Sequence, residues 1–62
     1  MTDERRNALN EVSSSLRFVL DDILGYANQL ESSGCKREAN KLRTIAGKIE
    51  NEIYNMKEKA SL

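Results

Sequence analysis

Sixty-two residues with ten Lys and Arg against ten Asp and Glu make one small, charge-balanced unit, 39% hydrophobic and without Pro, Trp or His. So short a chain holds one domain with a thin core, and its single Cys forms no internal disulfide, so the stabilising partner is expected to be another polypeptide. The lack of His and of room for an enclosed pocket speaks against an enzyme, and neither a cofactor nor a metal site is expected.

The opening MTDERRNALN is polar and carries both charges, unlike a secretory leader. Thr2 reads as a helix N-cap, with Asp3 and Glu4 in the first turn, where the helix dipole favours carboxylates. Leu9, Val12, Leu16, Val19, Ile23, Tyr26 and Leu30 then recur at alternating spacings of three and four, the seam of a heptad pattern. The run ends at Glu31-Ser32-Ser33-Gly34, where Gly34 suits the left-handed residue that closes a helix. A second seam follows at Cys35, Ala39, Leu42, Ala46, Ile49, Ile53, Met56 and Ala60. The pattern predicts helices over about 3–32 and 35–60 and a tight loop over about 32–35, a single helical-hairpin domain spanning 1–62. The longest apolar run, Phe18-Val19-Leu20, is far too short to cross a membrane, and a lone thiol suits a reducing compartment. A soluble, cytoplasmic chain without a membrane partner is expected.

The fold class is therefore all-α, an antiparallel hairpin. Folding back at the loop sets Leu30 opposite Cys35, Tyr26 opposite Ala39, Ile23 opposite Leu42 and Val19 opposite Ala46. Leu16 then meets Ile49, Val12 meets Ile53 and Leu9 meets Met56, so large and small residues alternate as close packing requires. Asp22 is expected level with Arg43 beside the seam. Leu20 and Ile45, with Ala27 on the same side and Leu24 extending it, form an apolar shoulder that one hairpin leaves bare. Leu20, Leu24 and Ile45 are thus the expected dimer interface, through which two hairpins form a four-helix bundle. The alternative cover is a helix of another protein.

Phe18 breaks the pattern. At 100° per residue it projects about 200° from Leu16, away from the seam. Asn10, Ser14, Asp21 and Gly25 surround it on the outer face, and Tyr54 takes a similar place on the second helix. These six residues form the expected partner-binding surface; the ordinary alternative is scattered exposed aromatics. Lys36, Arg37, Lys41, Arg43 and Lys48 make a basic patch interrupted only by Glu38, able to meet phosphate or an acidic protein, or simply a solvated face. Asp21, Asp22 and Glu11 are its acidic counterpart. Cys35 falls in the first seam layer as a small core residue.

The length, the opening Met1-Thr2 followed by Ala8-Leu9-Asn10, and the heptad hairpin resemble the Rop family of plasmid RNA-binding four-helix bundles. That resemblance implies a dimer whose paired first helices cradle RNA hairpins. The family's RNA-contacting Lys, Asn, Phe, Gln and Lys fall here on Asp3, Asn10, Ser14, Phe18 and Gly25. Asn10 matches; the aromatic stands four residues along, and both lysines are replaced. The expected function is a small, non-enzymatic regulatory protein of the kind phage, plasmid or accessory genes encode. As a homodimeric bundle it would block or bridge another protein. The alternative is an RNA-binding regulator of the Rop kind.

Overall fold

The computed structural model describes residues 2–62; Met1, first residue of the expected domain, lies outside the described residues. Among the described residues there are two helices and no strand: α1, Asp3–Ser32, and α2, Lys36–Ala60. They run back to back as an antiparallel hairpin with Cα extents of 48 × 14 × 10 Å.

Local chemistry accounts for each end. Thr2 caps α1 from an extended backbone, its Oγ1 accepting the Arg5 N–H at 3.3 Å, with Asp3 and Glu4 in the first turn. At the other end the Gly34 N–H donates to the Glu31 carbonyl at 3.0 Å, and the Cys35 N–H donates to the Leu30 carbonyl at 2.8 Å. This pair of bonds satisfies carbonyls the helix leaves open, and it requires a left-handed residue between. Gly34 supplies it at φ 89°. Cys35 then becomes the N-cap of α2: its carbonyl accepts the Ala39 N–H at 3.0 Å, while its thiol makes no capping bond.

The core is a ladder of small residues interrupted by Leu20 and Ile53. Ser13, Leu20 and Ala27 of α1 and Ala39, Ala46, Ile53 and Ala60 of α2 are buried. Leu9, Leu16, Ile23 and Leu30, with Cys35, Leu42, Ile49 and Met56, are half-buried beside them. The seam of α2 thus runs as its sequence predicts.

That of α1 is corrected at every second layer. Ser13 is buried in place of Val12, Leu20 in place of Val19, and Ala27 in place of Tyr26; the displaced Val12, Val19 and Tyr26 are exposed. The reason is steric. A column of alanines on α2 lets the backbones approach closely when small residues face it, whereas Tyr26 against Ala39 would hold them apart. Ser13 can be buried because its hydroxyl donates to the Asn10 carbonyl at 3.0 Å.

The expected Asp22–Arg43 pair is also corrected. Arg43 instead donates through Nη1 to Glu31 Oε1 at 2.9 Å and through Nη2 to Asn28 Oδ1 at 3.0 Å. Asp22 stands two and a half turns before Glu31, on the opposite side of α1, out of reach of that guanidinium. Arg43 supplies from α2 the cation that the last turn of α1 lacks.

Candidate interaction surfaces

The displaced residues of α1 define the first surface. Val12, Val19 and Tyr26 recur every seven residues and so line one flank of the hairpin. At the open end a groove of about 460 Å³ is lined by Arg5, Ala8, Leu9 and Val12 of α1 and by Met56 and Lys59 of α2. Ile45 lies two heptads before Lys59 and carries that flank on along α2. With the half-buried layer beside them, Val12, Val19 and Tyr26 form an apolar stripe about 100° wide along α1, joined on α2 by Ile45, which stands among the charged Glu38, Glu52 and Lys59 of the same flank.

The opposite flank is polar. Leu24 stands one heptad before Glu31 and belongs to the side closed by Arg43, Glu31 and Asn28. Leu24 and Ile45 therefore do not share a face, and Leu20 is spent inside the hairpin. The bare shoulder expected of Leu20, Leu24 and Ile45 is therefore not one surface: of the three, only Ile45 is exposed on the flank that carries Val12, Val19 and Tyr26. The small residues Ser13, level with Ile53, and Ala27, level with Ala39, were the sequence signal for this, since both admit a closer approach of the helices than Val12 and Tyr26.

Phe18 is directed away from α2 and is 74% exposed. Asn10, Ser14, Asp21 and Gly25 are exposed beside it, and their spacings of four, four, three and four make one stripe along α1. A Cβ added at Gly25 would meet nothing within 4 Å, so this stripe is open to close approach. Tyr54, 70% exposed, points outward from α2 and does not join it.

The basic run does not gather into one patch. Arg43 is engaged by Glu31 and Asn28, while Lys41 and Lys48, one heptad apart, share a side of α2 that Lys36 does not. Glu31 is held below the ordinary glutamate value of 4.5, first by the hydrogen bond from Arg43, then by its charge, with Lys36 adding a little and burial opposing. Cys35 is half-buried with a free thiol.

Among the described residues no three His, Cys, Asp or Glu side chains gather where a metal could sit, and no helix is long and apolar enough to cross a membrane. Comparisons with protein-family models, with curated proteins and with solved structures give no match for this chain.

Proposed function

We propose that this chain is a small non-enzymatic regulatory protein that works as a homodimeric four-helix bundle and blocks or bridges a protein target in the cytoplasm. The observation that carries the reading is the exposed apolar set of Val12, Val19, Tyr26 and Ile45, left open along a hairpin that buries, among the described residues, only two large hydrophobic side chains, Leu20 and Ile53. Burying a large apolar side chain is worth about 1.5–3 kcal/mol, so covering four half-exposed ones contributes roughly 3–6 kcal/mol per chain before association costs. With that face covered, the stripe of Asn10, Ser14, Phe18, Asp21 and Gly25 remains outward on α1 for a target, and Phe18 is its anchor. Tyr54 offers a second contact on α2.

A second reading, an RNA-binding regulator resembling the Rop family, draws support from Asn10 and from Lys36, Arg37, Lys41 and Lys48, which are exposed and make no ion pair among the described residues. Salt separates the two. Contacts to several phosphates weaken by orders of magnitude between 50 and 200 mM salt, whereas a contact anchored on an apolar ring does not. The test is affinity capture from the source organism, with and without nuclease, over that salt range. A protein retained after nuclease and lost with Phe18→Ala supports the proposal; loss on nuclease treatment or a steep salt slope replaces it with the RNA reading.

A further inference from the structure

Resting on the reading that Phe18 anchors a protein target, we propose that the target supplies an arginine, stacked on the Phe18 ring and held by Asp21 and Asp22. Charge on α1 is sorted by side. At about 100° per residue, Glu4, Glu11, Asp21 and Asp22 stand within about 60° of Phe18, all exposed, and no Lys or Arg does. The three cations of α1 lie about 100° or more from it. Arg5 lines the open-end groove, and Arg6 pairs with Asp3 at 3.8 Å. Arg17 makes no ion pair among the described residues. Glu11 and Asp22 have no Lys or Arg within four positions on either side, so the helix itself offers them no counter-ion.

Helix spacing brings two of these carboxylates to the ring. Asp21 and Asp22 follow Phe18 by three and four residues, which sets their Cβ atoms about 5–6 Å from its own. Ser14 and Ser15 take the matching places one turn before, and Gly25 stands two turns on with open space where a Cβ would be. Short side chains thus leave the ring, 74% exposed, open to approach. The face of a phenyl ring attracts a cation held within about 6 Å of its centre. Arginine suits this place because its planar guanidinium can lie on the ring while its N–H edge forks onto a carboxylate one turn away. The compact ammonium of lysine makes one contact or the other. Phosphate is repelled by the same carboxylates, with no cation beside them to offset it. Charge complementarity therefore selects a basic protein segment for this face of α1, and not RNA.

The test titrates the full, 15N-labelled chain with a peptide of alternating Arg and Gly at about 150 mM salt. Amide shifts largest at Phe18, Asp21 and Asp22 are expected, with an affinity roughly threefold above that of the Lys-Gly counterpart. Asp21→Asn with Asp22→Asn should weaken the peptide about tenfold. Phe18→Leu, which keeps an apolar side chain without a ring, should weaken it roughly threefold. Glu50→Gln with Glu58→Gln removes the same charge from exposed positions of α2 and should leave binding unchanged. Circular dichroism checks that each variant keeps its helices. Equal affinity for the two peptides, shifts centred on α2, or no shift up to about 5 mM peptide overturns the inference. A uridine oligonucleotide that shifts the Phe18 amides overturns it in favour of the RNA reading. Affinity capture separates this inference from the reading beneath it. A protein captured through Phe18 and retained by the Asp21→Asn, Asp22→Asn chain overturns the inference and leaves the target reading in place. If no protein is captured while the peptide still binds at Phe18, the target reading falls and the preference for arginine stands.

Discussion

Truncating Leu20 and Leu24 to alanine in separate variants compares one chemical change at two depths. Leu20 is 5% exposed, in the cluster with Ala46 and Ile53 that Leu16, Ile23 and Ile49 pack against, whereas Leu24, four residues on, is 40% exposed on the polar flank. Removing the buried side chain loses its transfer free energy and leaves a cavity that the rigid helix pair fills poorly, for a cost of about 2–5 kcal/mol. Leu24 gives up only part of its burial and opens no cavity, so about 1 kcal/mol or less is expected. A chain of this length has roughly 3–9 kcal/mol of total stability, which makes the first loss a large fraction of the fold and the second a minor one. Urea unfolding followed by circular dichroism, at two protein concentrations to separate folding from association, reads both. The expected result is a collapse of the transition midpoint for Leu20→Ala and a small shift for Leu24→Ala. Equal costs would refute the packing described above, because they would mean that both leucines lie on one half-covered shoulder.

Gly34→Ala is expected to destabilise by about 1–2 kcal/mol in the same unfolding experiment, since φ 89° penalises any L side chain even though a Cβ there has open space around it. Glu31 has a folded-state pKa below 4.5, so its contribution is present above the unfolded value and is lost as pH falls through the folded one. Thermal unfolding of Glu31→Gln should therefore lose the part of the wild-type acid sensitivity that lies below that value. Phe18→Ala is expected to leave the melting temperature nearly unchanged, because an exposed ring has little burial to lose; a buried phenylalanine would cost about 3–5 kcal/mol.

The heptad spacing, the Thr2 cap and Gly34 made the hairpin legible, because each is a local signal whose meaning does not depend on the rest of the chain. The second helix was legible residue by residue: its column of rivals is Glu38, Ile45, Glu52 and Lys59, so only Ile45 competes for the contact. In α1 two columns compete. Leu9, Leu16, Ile23 and Leu30 belong to both, and either Val12, Val19 and Tyr26 or Ser13, Leu20 and Ala27 can complete the seam. Hydrophobicity favours the first column, whereas proximity to the α2 alanines favours the second, and only the approach of the two backbones decides. The same uncertainty hid the candidate interface. Leu20 looked like spare apolar surface once Val19 was given its place, and Arg43 looked free for Asp22 until the flank it occupies was known. Phe18 was legible because it lies opposite both columns, so no choice between them moves it.

A helix with two apolar columns has a use for both. If α1 packed on α2 through the larger column, Tyr26 and the valines would wedge the backbones apart, and Ser13 and Ala27 would be left on a face too shallow to hold a partner. The observed choice does the reverse. Small residues go where two helices of one chain must come close, and the contact is narrow because alanine offers little area. The larger residues then stand together on the flank, where they add breadth to a face that the hairpin alone cannot bury. The thin internal core and the broad external face are one decision of the sequence. Covering that face, as proposed above, would add to the apolar burial of such a hairpin and would couple its folding to association. The outer stripe around Phe18 lies on the far side of α1 from α2, so covering the face leaves it untouched.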